Sequence, residues 1–198
     1  MVDANTASGF LLAEYKELKG EILKRSEIQH QLISIALVSL GALITVGLKD
    51  SPSALLAYPM LALFLSAAWS YNDIQIAQLG IYIRYRIEQR LIGHGLGWEH
   101  ALKADPTSRN IGALAKLGPR GILWGSELLA VGLYLLKKLS LGWPAVHPEM
   151  RGEIVLLILS IGAIAATMMM MRNQDPLVRE IEANIRKPVV PPAGGPAQ

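Results

Sequence analysis

One residue carries chemistry that conflicts with its surroundings. Glu127 lies in GILWGSELLAVGLYLL (121–136), and it is the one ionisable residue inside any of four apolar blocks of the chain. A charged side chain at the centre of a bilayer costs about 2.5–3.5 kcal/mol on insertion scales, so an intramembrane acid is a functional candidate by default. Two chemistries fit it. The carboxyl stands in an ion or proton path, or it makes a packing hydrogen bond to Ser126 or to another helix. Both readings place it between helices, near a Ser or Thr of a neighbour and away from lipid.

Other combinations are weaker. His94, Glu99 and His100 are close in sequence, but they match no helical metal motif, and two of the three sit in a Gly-rich loop. Trp98 and Glu99 read as loop contacts that anchor GHGLGWEH (93–100) against helices or headgroups. Met168–Met171 form an apolar helix end. The sequence has no Gly-rich phosphate loop, no Ser/His/Asp pattern and no carboxylate pair at useful spacing. No catalytic residue, cofactor, metal or small-molecule ligand is assigned, and the expectation is a protein that is not an enzyme. Cysteine is absent, which removes disulfides, thiolate zinc sites and a thiol nucleophile. A net charge of +3 is too small to imply nucleic acid as a partner.

The elements that must hold Glu127 are apolar helices. Of 198 residues 52% are hydrophobic and 18% charged, and the apolar ones are bunched. The blocks are 32–48, 54–71, 121–136 (to 141 with flanks) and 154–171. Each approaches the roughly 20 residues that a bilayer core requires. The expected fold is all-α, a four-helix transmembrane protein with the lipid bilayer as its first partner. Trp69, Tyr71 and Trp124 are placed where aromatic rings meet headgroups, and Lys137 and Lys138 where they snorkel outward. About 30 residues of mixed charge precede the first block, unlike the short basic leader of a signal peptide.

The basic residues set the orientation. Fifteen lie in the N-terminal segment, the middle loop and the C-terminal tail; four (Lys49, Lys137, Lys138, Arg151) lie on the other side. By the positive-inside rule both termini face the cytoplasm, across the cell (inner) membrane of a bacterium.

Helical patterning continues past the first two blocks. Leu11, Tyr15, Leu18 and Ile22 mark one face of a helix expected over 9–48, after a loose stretch at 1–8. Beyond Tyr71, Ile76, Leu79, Ile83, Ile87 and Leu91 form a stripe, and Ile74, Ile81, Tyr85 and Ile92 a second one. Leu79, Ile81, Ile83, Tyr85 and Ile87 also alternate as a strand would, but a run of about 20 residues without a breaker favours helix. The two helices are expected to pair as an antiparallel cytoplasmic coiled-coil stalk, in which Leu18 and Ile22 touch the second helix. The surplus stripe is left for the C-terminal helix or another subunit. Residues 93–120 read as a loop with a DPTS turn, a short helix NIGALAKL and GPRG as a stop. Asp175 and Pro176 read as the start of a separate helix over 172–187, and 188–198 as a disordered tail. Gly121 and Gly125, and the series Ala62, Ser66, Ser70, are small residues at helix-contact spacing and suit a homo-oligomer.

The segment YPMLALFLSAAWSYNDIQIAQLGIYIRYRIEQRL with the following GWE, preceded by EYKELKGEILKR, resembles a group of uncharacterised bacterial multi-pass membrane proteins. The matching positions are Ile76, Gly80, Tyr82, Ile83, Arg84, Ile87, Glu88, Trp98 and Glu99, and the likeness covers about the first half of the chain. It implies no catalytic residue. In layout alone the chain also resembles SLATT-type membrane effectors. The expected function is non-enzymatic helix-mediated assembly, as a scaffold, sensor or membrane effector. The alternative is a small transporter or channel with Glu127 in an ion or proton path.

Overall fold

The computed structural model describes residues 4–88, 106–140 and 150–186, and all statements below concern these. The chain forms four helices: α1 (Ala4–Lys49), α2 (Tyr58–Tyr82, continued by a π-helical turn Ile83–Glu88), α3 (Pro106–Ser140) and α4 (Met150–Arg186). Among the described residues there is no strand, so the alternation in 79–87 is settled as helix. A 3-10 turn, Pro52–Ala57, links α1 to α2, with Pro52 at its start, where a missing N–H costs nothing. Gly47 is required here. A Cβ on it would stand 2.5 Å from Leu55 Cγ, so only glycine lets α1 and the turn approach this closely.

Three of the four helical stretches are long and apolar enough to cross a membrane: Gly9–Lys49, Pro52–Glu88 and Arg151–Arg186. α3 falls short by composition, since Glu127, Lys137 and Lys138 dilute its apolar run. It nonetheless runs the same course as its neighbours. Arg120 at one end reaches Gln174 on α4, and Lys138 at the other reaches Glu153.

Apolar layers stack along the bundle. At the hairpin end Leu55, Leu56 and Tyr134 pack with Ile44, Val131 and Leu157. Next come Leu40, Tyr58, Ala62 and Ala130, then Ala36, Trp69, Leu123 and Met171. At the end that holds the chain termini, Leu11, Tyr15, Leu18 and Ile22 of α1 pack on Ile83 and Ile87 of α2, the pairing that the stripe spacing predicts. The second stripe turns to α4: Glu182 accepts hydrogen bonds from Arg84 and from the Tyr85 hydroxyl (3.0 Å). The Arg84 guanidinium lies 4.4 Å from the Tyr85 ring centroid, which adds a cation–π contact.

Several expected boundaries are corrected. Helix begins at Ala4, within the stretch read as loose. Residues 106–120 belong to α3 and are not loop, and GPRG does not stop it. Asp175–Pro176 does not start a new helix, since α4 runs through it. A proline inside a helix removes one backbone bond and costs about 3 kcal/mol. Pro119 and Pro176 each sit one residue from a polar cross-link, Arg120 to Gln174 (2.8 Å) and Arg120 to Asp175 (3.4 Å), so bonds between the two helices offset the lost backbone bonds. Trp69 is buried in the core and does not reach toward headgroups, whereas Tyr71 and Trp124 are exposed. Trp98, Glu99, the 93–105 segment and the 188–198 tail lie outside the described residues.

Candidate functional site

Glu127 is fully buried, as its cost in lipid demands. Its Oε1 accepts a hydrogen bond from the Thr167 hydroxyl of α4 at 2.9 Å. Its Oε2 has no partner. Beside it, Ser126 turns the other way along α3. The Ser126 hydroxyl lies 2.8 Å from the Tyr58 hydroxyl of α2 and 2.7 Å from the Leu123 carbonyl oxygen. One turn of α3 therefore bonds to two different helices. The sequence expectation of a Ser or Thr neighbour is met by Thr167; Ser126 does not serve Glu127.

Polar groups on the two sides of Glu127 differ. Toward the hairpin end they are paired. Ser160 donates to the Leu56 carbonyl at 2.9 Å, and the Tyr134 hydroxyl donates to Glu153 at 3.3 Å. Lys138, expected to snorkel, pairs with Glu153 at 2.6 Å. Toward the terminal end, buried polar atoms lack protein partners: Ser66 Oγ, Ser70 Oγ, Arg120 Nε and Gln174 Nε2. Below them Arg120 Nη2 stands 3.7 Å from Asp73 and 3.4 Å from Asp175, and the Arg25 guanidinium reaches Asn72 at 3.4 Å and Glu21 at 2.8 Å. Desolvated polar groups are normally satisfied, by protein or by water.

The small residues divide into two sets. Ala62, Ser66 and Ser70 are buried inside the chain's own bundle, so their spacing serves intramolecular packing. Gly121 and Gly125 meet nothing within 4 Å of an added Cβ and remain open to an outside neighbour. Sequence reasoning singled out Glu127 but missed Thr167, Tyr58, Ser160 and the Arg120 cluster. No group of three metal-ligating side chains is present among the described residues.

The chain matches no protein-family model, no curated protein and no solved structure.

Proposed function

We propose that the chain is an integral membrane protein with four spans, both termini in the cytoplasm, acting without catalysis through assembly of its helices. The fourth span in this reading is α3, which runs level with α4 from Arg120–Gln174 to Lys138–Glu153. The 15-to-4 division of basic residues supports the orientation, and a bacterial inner membrane is the setting in which that rule was expected to apply.

The observation that carries the assembly reading is the outer face of α1. Only 17% of its apolar window is buried, against 44% for α2. Leu23, Ser26, Glu27, His30, Gln31, Ser34 and Ile35 line a groove on that face, and among the described residues no other helix lines it. His30, Gln31 and Ser34 stand there at the start of the apolar segment, where uncovered polar groups gain from a protein neighbour more than from lipid. Cysteine at Ser34 tests this in a chain with none of its own. Oxidation in native membranes should link Ser34→Cys copies and leave Ala36→Cys, which is buried, unlinked. Failure of both to link, with a monomer in mild detergent, contradicts assembly.

A second reading, a small transporter or channel, is favoured by the unpartnered Oε2 of Glu127. Ion flux in liposomes that is lost in Glu127→Gln would support it.

A further inference from the structure

We infer that Glu127 is a proton-binding site with water access from the terminal end of the bundle alone. The claim concerns the site and its access route; it stands whether or not anything crosses the bilayer, and it deepens the second reading above.

Three observations combine. The first is the carboxyl itself, fully buried, with Oε1 occupied by Thr167 and Oε2 free. A proton has one place to go, Oε2, and the Thr167 bond holds the carboxyl in one rotation while it is taken up or released. The balance is simple: hydronium from the access route protonates the carboxylate and leaves water behind, and the reverse step returns the proton.

The second is the placement of the unsatisfied groups. Ser66 and Ser70 lie on the α2 stripe that begins at Tyr58 and Ala62, and both are buried. The Ser160–Leu56 bond ties the 3-10 turn that leads into α2 to α4, and counting down both helices from it at about 1.5 Å per residue puts Ser66 within a turn of the level of Thr167. Ser70 is one turn further toward the termini. Seven residues from Glu127 on the same face of α3 is Arg120, and seven from Thr167 on α4 is Gln174. Those two are bonded at 2.8 Å, roughly 10 Å from the Glu127 rung at 1.5 Å per residue. By helix register, Ser66 Oγ, Ser70 Oγ, Gln174 Nε2 and Arg120 Nε are thus spaced between the Glu127 level and the Asp73–Arg120–Asp175 ion cluster. Separate buried groups, each short of one partner, are what ordered water satisfies.

The third is the contrast with the hairpin side. Two apolar layers lie there, and the hydroxyls that belong to or border them, Tyr58 (to Ser126) and Ser160 (to Leu56), are paired. The terminal side interposes one layer, Ala36, Trp69, Leu123 and Met171. The titratable and charged groups around Glu127 are few. α2 contributes Tyr58 and, in the ion cluster at the terminal end, Asp73. α3 contributes Arg120, and α4 contributes Asp175. On α1 the adjoining layers hold the uncharged Ala36 and Leu40, and the terminal-end cluster holds Arg25 with its partner Glu21.

The chain has no cysteine, so single cysteines report access directly. Full-length protein in oriented proteoliposomes is exposed to a membrane-impermeant cationic methanethiosulfonate from each side. Ser66→Cys and Ser70→Cys should react from the terminal side only, and Ala130→Cys and Ser160→Cys from neither. In parallel, infrared difference spectra should show a protonated-carboxyl band that follows the pH of the terminal-side buffer and is lost in Glu127→Gln. Labelling of Ser66→Cys and Ser70→Cys from the hairpin side, or from neither side, overturns the route. A carboxyl band that persists in Glu127→Gln, or follows hairpin-side pH, overturns the site. Helical circular dichroism of each variant separates these outcomes from misfolding. Absence of ion flux would remove the transport reading and leave this inference intact.

Discussion

Glu127 and Thr167 meet at 2.9 Å, and seven residues toward the termini on each helix Arg120 and Gln174 meet at 2.8 Å. α3 and α4 are therefore joined by two polar rungs on one pair of facing stripes. Between the rungs lies the apolar layer of Leu123 and Met171. In lipid, where apolar side chains gain little by leaving solvent, such bonds and close packing are what hold helices together.

The Glu127–Thr167 rung should behave as a unit. Thr167→Val leaves a buried carboxylate oxygen without a donor, which costs about 1–3 kcal/mol. Thr167→Ser should cost less. The double change Glu127→Leu with Thr167→Val removes both partners and should recover much of the loss, since replacing both sides of a buried bond by apolar groups is nearly neutral. Thermal unfolding in detergent of the wild type, the Thr167 variants, Glu127→Leu alone and the double variant checks this. Strict additivity of the two changes would contradict a shared bond.

The hairpin turn rests on Gly47. Gly47→Ala places a methyl 2.5 Å from Leu55 Cγ, and Leu55 is fully buried, so the turn must shift at a cost of about 1–3 kcal/mol. Gly41→Ala, on the same helix with open space around it, should be neutral or mildly stabilising through better helix propensity. Equal melting temperatures for the two variants would contradict the close approach.

The stalk end is tied by Arg84 and Glu182. Arg84 is buried to within a few per cent, with the Tyr85 hydroxyl sharing its acceptor. Arg84→Ala should cost about 1.5–3 kcal/mol, the range of hydrogen bonds to charged groups. It should also free the end of α4, seen as faster proteolysis after Arg179 or Arg186. Cysteine pairs joining Leu18 or Ile22 to Ile83 or Ile87 should crosslink in every case, because those contacts do not involve α4. Crosslinking that depends on Arg84 would place α4 inside the α1–α2 contact.

The helices were legible because apolar blocks and the 3.6-residue stripes each have one dominant reading. The stripe of Leu11, Tyr15, Leu18 and Ile22 found its partner for that reason. The continuity of α3 through Pro119 and of α4 through Pro176 was not legible. Local rules treat proline and GPRG as breakers, and only the tertiary bonds of Arg120, Gln174 and Asp175 outweigh them. Glu127 was visible as a misfit in its solvent, but its partner was not. Thr167 and Ser160 are the two hydroxyls in the 154–171 block, so a hairpin centred near residue 147 would have pointed to Thr167. The third and fourth blocks, 121–136 and 154–171, centre the hairpin near residue 145 and point nearer residue 163. The unpaired hydroxyls of Ser66 and Ser70 carried no signal, because their spacing reads equally well as packing.

Membrane topology tests the four-span architecture most directly. Reporters placed at residue 1, within 93–105 and at residue 198 should all read cytoplasm, and one at Pro148 should read the outside, if α3, level with α4 from Arg120–Gln174 to Lys138–Glu153, is the proposed fourth span. Four crossings return the chain to its starting side. If the reporters at residues 1 and 198 read opposite sides, an odd number of helices crosses and the bundle that buries Glu127 does not form in the membrane.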